Sequence, residues 1–114
     1  MKISDICTLL SANLICGNMD DCKPIEKGYS SDLMSDVLTL DTDNLLLLTG
    51  MCNLQTIRTA EVADIRYIVF VRNKRATEEM LILAREHGIC ILESPFTLFK
   101  ASGLLYQAGL KPVY

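Results

Sequence analysis

Residues 44–71 read NLLLLTGMCNLQTIRTAEVADIRYIVFV, and the parsing of this stretch decides the fold. Two apolar runs, NLLLLT (44–49) and RYIVFV (66–71), flank a segment of helical period. Neither run alternates polar with apolar residues, so each expects cover on both faces, as a strand inside a parallel sheet does. Between them Leu54, Ile57, Thr59/Ala60 and Val62 form an apolar stripe of ordinary width, which predicts a helix over 53–64. Strand, helix and strand in succession is the signature of a crossover unit.

The pattern continues outward. TEEMLILAREHG (77–88) opens on Thr77 as an N-cap, carries Glu78 and Glu79 where the helix dipole favours anions, and stops at Gly88. ICIL (89–92) is a further doubly covered strand, and SPFTLFKASGLLYQAG (94–109) pairs Ser94 with Pro95 as a helix entry. Upstream, SDICTLLSA (4–12) predicts a helix capped by Ser4, with NLICG (13–17) and IEKGYS (25–30) as short strands around a loop, NMDDCKP. The expectation is a single domain over 1–114: a three-layer α/β/α sandwich with a mainly parallel sheet of four to five strands.

Bulk properties narrow the function classes. With 114 residues the chain can bury about two-thirds of its unfolded surface, and half its residues are apolar against 22% charged, the balance of a globular domain. The longest apolar run, LLLL at 45–48, falls far short of the roughly 20 residues a membrane span needs. The N-terminus MKISDICTLL places Asp5 where a secretory signal would be apolar, so a cytoplasmic location is expected. A net charge of −3 offers no broad basic surface for a phosphate backbone, which argues against nucleic acid. Five cysteines (7, 16, 22, 52, 90) form no Cys-x-x-Cys pair and fit reduced thiols, with Cys22 expected exposed.

In open parallel sheets ligands bind beyond the carboxyl ends of the strands. Those ends carry Ser31 and Asp32, then Thr49, Gly50 and Asn53, then Arg72, Asn73 and Lys74, and finally Ser94. Hydroxyls, amides, a carboxylate and cations beside helix N-termini suit a small polar or anionic ligand. The same residue types also collect there because they cap helices and turn chains.

Within GYSSDLMSDVL (28–38), Ser31 or Asp32 is expected to cap a helix through Leu33, Met34, Val37 and Leu38, with Ser35 and Asp36 on its flank. Asp32 and Asp36, four apart, would share a face and could serve acid–base or metal chemistry, but no histidine or third acid accompanies them. His87, the only histidine, falls at a helix C-terminus and reads as structural. No phosphate-loop Gly-x-x-x-x-Gly-Lys-Ser/Thr occurs, nor Gly-x-Ser-x-Gly, Gly-x-Gly-x-x-Gly or zinc spacing. No cofactor is implied.

GYSSDLMSDVL, LLLLTG, NLQTIRTAEVADI, IVFVRN and ATEEMLILAREHGICILESPFTLF, in that order, resemble the stand-alone proteins built from the DRTGG domain. The likeness runs over about 20–110, and its most specific part is Tyr-x-Ser-Asp-Leu-x-Ser-Asp at Tyr29 to Asp36. It implies an α/β sandwich similar to the N-terminal, non-catalytic domain of HPr kinase/phosphorylase, a regulatory rather than enzymatic role, and dimer contacts of the kind the domain makes in some pyrophosphatases. The block that names the family should precede Tyr29, where this chain has PIEKG (24–28) and keeps only Gly28.

The expectation is therefore a non-catalytic regulatory domain. It would bind a small anionic ligand, a nucleotide among the candidates, through Ser31, Asp32, Ser35, Asp36, Thr49, Gly50, Asn53, Arg72, Asn73 and Ser94, and act as a homodimer. The alternative is a ligand-free subunit that docks on a larger enzyme or kinase.

Overall fold

A computed structural model describes residues 1–114. The elements run α1 (Ile3–Leu10), β1 (Asn13–Cys16), β2 (Lys27–Ser30), α2 (Met34–Val37), β3 (Leu45–Thr49), α3 (Leu54–Val62), β4 (Tyr67–Phe70), α4 (Glu78–Glu86), β5 (Cys90–Glu93), α5 (Leu98–Gln107) and β6 (Lys111–Pro112). They build one six-stranded sheet of order β1-β5-β4-β3-β2-β6. Every pairing is parallel except β1 against β5, which is antiparallel with a register shift between Leu14 and Cys16.

The apolar runs are two-faced because each strand divides its side chains between two cores. Leu45, Leu47, Ile68, Phe70, Ile89 and Ile91 face one layer with Met34 and Val37 of α2, Ile57 and Ala60 of α3, and Met80 and Ala84 of α4. Leu46, Leu48, Val69, Val71 and Leu92 face the other with Ile3, Ile6 and Leu10 of α1 and Ala101 and Leu105 of α5. Burying one such side chain contributes roughly 1.5–3 kcal/mol, so the continuous Leu45–Leu48 run secures both layers at once.

This layering sets where a crevice can form. The connections β2–α2–β3, β3–α3–β4 and β4–α4–β5 step along the sheet on one face, and the connection β5–α5–β6 returns across the other. Chains leaving β4 and β5 thus part to opposite faces, and the gap between their carboxyl ends is the topological switch point.

Local chemistry explains the helix limits. Asn53 accepts at its side-chain oxygen from the Thr56 amide (3.0 Å) to start α3, Thr77 Oγ1 accepts from the Met80 amide (3.3 Å) to start α4, and Gly88 ends α4 at φ +66°. α1 starts at Ile3 rather than after Ser4, because Asp5 reaches back to the Lys2 amide at 2.9 Å. α5 starts at Leu98 rather than at the Ser94–Pro95 pair, because Thr97 Oγ1 accepts from the Lys100 amide at 3.3 Å while Ser94 turns inward.

A further difference comes from the C-terminus: Lys111–Pro112 adds a sixth strand outside β2, where four to five were expected, and makes IEKGYS an inner strand. A two-residue strand ending in proline has no periodicity to read, and proline is tolerated there because the outer edge needs no donor. Gly28 makes room for this arrangement: a Cβ there would lie 2.8 Å from Leu110 Cδ2. No helix is long and apolar enough to cross a membrane.

Candidate functional site

The strand carboxyl ends lie side by side. Val71 N donates to Thr49 O (3.1 Å), Ser94 N to Phe70 O (2.9 Å) and Ser31 N to Leu48 O (3.1 Å), so backbone bonds stitch the ends of β2, β3, β4 and β5 into one rim. Asp32, Thr49, Gly50, Arg72, Asn73 and Ser94 all belong to it.

Asp32 is a clamp. Its Oδ1 accepts from Thr49 Oγ1 at 3.0 Å and from the Gly50 amide at 2.7 Å, while Thr49 Oγ1 accepts in turn from the Met51 amide at 3.1 Å. The carboxylate therefore ties the loop after β2 to the end of β3. It does not cap α2, as expected from spacing, because α2 is a single turn without a side-chain cap. Ser31 Oγ instead accepts from the Leu33 amide two residues on, at 3.0 Å, forming a local turn.

Asp36 consequently parts from Asp32 rather than sharing a helix face with it, since Asp32 lies outside α2. Asp36 stands near Tyr29, whose phenol is pushed up first by burial and then by the negative charge of Asp36 and Tyr114. Ser35 is exposed beside it.

At the switch point the crevice is fastened by the protein's own groups. Arg72 and Asn73 both sit in the left-handed region, each at φ 60°, and their amides donate to Phe96 O (2.7 Å) and Ser94 O (2.9 Å) across the gap between β4 and β5. An arginine in this region persists where surrounding bonds over-determine it, whereas asparagine adopts it readily. Glu93, buried at 7% exposure, accepts from the Ala76 amide at 2.7 Å and from Arg75 Nη1 at 3.4 Å. An internal carboxylate thus occupies the amide at the entry to α4 that an anionic ligand would otherwise seek. Sequence reasoning missed Glu93; its place as the last residue of an apolar strand was the available signal.

Ser94 is withdrawn from the surface. It is 1% exposed, and its hydroxyl donates to Leu10 O at 2.7 Å and accepts from the Phe96 amide at 3.2 Å. Asn53 is spent on the α3 cap. Arg72 and Lys74 are exposed, and neither takes part in the molecule's ion pairs, Arg75–Glu93 and Arg85–Glu78, or in the His87–Glu61 contact. The rim therefore presents free cations at Arg72 and Lys74 on a framework of saturated hydroxyls and carboxylates.

Burial raises four of the five thiols. Cys52 lies in the same crevice, where burial and then Glu93 push it up against a weaker opposing pull from Lys74, and burial likewise raises Cys7, Cys16 and Cys90. Such thiols stay protonated near neutrality. No group of three or more His, Cys, Asp or Glu side chains is placed to hold a metal ion. His87 caps α4 just before the amino end of β5, at the opposite end of the strand from the rim, with Nε2 3.3 Å from Glu61 Oε2.

No protein-family model matches this chain, and no curated protein does. Among solved structures it is similar to the CBS and DRTGG domains of the regulatory region of Clostridium perfringens pyrophosphatase, crystallised with the activator diadenosine tetraphosphate. That likeness has a TM-score of 0.80 at 16% identity and covers 94% of this chain and 46% of the other. The chain thus spans less than half the length of that neighbour, and the likeness establishes the α/β fold.

Proposed function

We propose that this chain is a non-catalytic regulatory domain whose strand-end rim receives a small anionic ligand of the nucleotide class. The observation that carries it is the Arg72–Asn73–Lys74 loop: Arg72 held left-handed, the loop pinned across the switch point, and two cations borne without internal partners. Strain held at the place where this fold gathers ligands points to recognition. The activator bound by the pyrophosphatase regulatory region makes diadenosine tetraphosphate a natural first probe. The ligand would lie over the rim, phosphates against Arg72 and Lys74, since Glu93 fills the crevice floor.

The chain is proposed to work as a homodimer. Phe99 and Tyr106, seven apart on α5, are 90% and 70% exposed, an apolar outlay a monomer seldom leaves on one helix face. Light scattering should give about twice 12.7 kDa; a mass of one chain at micromolar concentration removes the dimer.

A second reading rests on Leu33 and Met51, which are 57% and 38% exposed on the same rim. They favour a surface that docks on a larger enzyme or kinase without a ligand. Thermal-shift measurements with nucleotides and polyphosphates separate the two. A ligand at 100 times its dissociation constant stabilises by about 2.7 kcal/mol, and Arg72→Ala should abolish that gain. No shift with any phosphate at millimolar concentration leaves docking as the surviving function.

A further inference from the structure

A polar hollow of about 280 Å³ opens at the amino ends of β3 and β4, on the sheet edge opposite the rim. Lys23 reaches it from the β1–β2 loop, Asp43 and Asn44 from the turn before β3, and Asp64 and Arg66 from the turn before β4, with Tyr67 forming part of the floor. The walls are held in place. Asn44 and Asp64 both turn in the left-handed region, at φ 59° and 56°, and Asn44 O accepts from the amides of Glu26 and Lys27 (2.9 and 3.3 Å). Tyr67 is buried, its phenol donating to Asp21 Oδ2 at 3.1 Å.

The residues lining this hollow carry two cations and two carboxylates, while two further carboxylates stand behind it, Asp21 bonded to the Tyr67 phenol and Glu26 to Asn44 Nδ2 at 3.3 Å. None of the four lining charges has an opposite charge within 4.0 Å, the molecule's ion pairs lying elsewhere. Opposite charges that share a hollow without touching leave room for a molecule that carries one of each. A simple anion would meet Asp43 and Asp64, and a simple cation would meet Lys23 and Arg66. The volume lies just under the roughly 300–1,000 Å³ typical of small-molecule sites, so the occupant is smaller than a nucleotide.

We propose that this hollow binds a small zwitterion of the α-amino-acid class, its carboxylate taken by Lys23 and Arg66 and its ammonium by Asp43 and Asp64. The site is independent of the rim, from which the whole length of the strands separates it. Titration of the ¹⁵N-labelled full chain with free amino acids tests it, beside their N-acetyl derivatives, which lose the ammonium, and their carboxamides, which lose the carboxylate.

The expected result is movement of the Asn44, Leu45 and Tyr67 amides with those of Gly50 and Arg72 still. Both derivatives should bind at least tenfold more weakly. Arg66→Ala and Asp64→Asn should each weaken binding at least tenfold without moving the thermal midpoint, asparagine being chosen because it tolerates the left-handed turn. The proposal is overturned if no amino acid moves those amides at tens of millimolar, if either derivative binds as well as its parent, or if the shifts gather at the rim.

Discussion

Replacing Asp32 with alanine should destabilise the protein by about 2 kcal/mol. Two bonds disappear, those from Thr49 Oγ1 (3.0 Å) and from the Gly50 amide (2.7 Å), and they differ in consequence. The Gly50 amide is near solvent, so water replaces most of what it loses. Thr49 is 0% exposed, so its hydroxyl proton is left without an acceptor, a cost of roughly 1–3 kcal/mol. For a domain of this size each kcal/mol moves the midpoint by about 3–5 °C, so thermal unfolding followed by circular dichroism should show a fall of roughly 6–10 °C. Thr49→Val removes the stranded hydroxyl, and the double variant should therefore be less destabilised than the sum of the singles, with a coupling of about 1 kcal/mol. A single variant within about 0.5 kcal/mol of the parent, or strict additivity in the cycle, would refute the clamp.

Ser94→Ala removes the buried bonds to Leu10 O and the Phe96 amide; urea unfolding should show a loss of roughly 1–3 kcal/mol, while the response to phosphate ligands stays as in the parent. Gly28→Ala sets a methyl 2.8 Å from Leu110 Cδ2 and should cost about 1–3 kcal/mol by overpacking, with hydrogen exchange rising first at Lys111. The Tyr67 phenol is pushed up to about 12, by burial first and then by its bond to Asp21. A raised native value means the folded state holds its proton longer, so stability is full below about pH 10 and falls as the pH rises toward 12. Tyr67→Phe should flatten that part of the alkaline loss in urea midpoints measured across the interval, and an unchanged slope would remove Tyr67 as its cause.

Much of the fold was legible because it rests on burial. The runs 44–49, 66–71 and 89–92 are apolar on both faces, and in the structure their side chains do divide between two cores. Thr77 caps the helix its position assigned it, and Asn53, read as a rim residue at the start of the next helix, caps α3. What escaped was decided by tertiary pairing. β6 exists because β2 offers it an edge, and nothing local in Lys111–Pro112 reveals that. The rim was legible as a place but not as a set of free groups. Asp32, Asn53 and Ser94 have the composition of a binding site, yet their acceptors and donors are taken by Gly50, Thr56 and Leu10. Arg72 and Lys74, with no such partners, are the free cations of the rim.

Whether that rim reads an anion is tested most directly by titrating the ¹⁵N-labelled chain with nucleotides and polyphosphates and following the backbone amides at two salt concentrations. The account predicts that Gly50, Arg72, Asn73 and Lys74 move together, that affinity weakens as salt screens the two cations, and that Arg72→Ala with Lys74→Ala erases the response. Amides at the rim that stay still at millimolar ligand, or that move equally in the double variant, would contradict it.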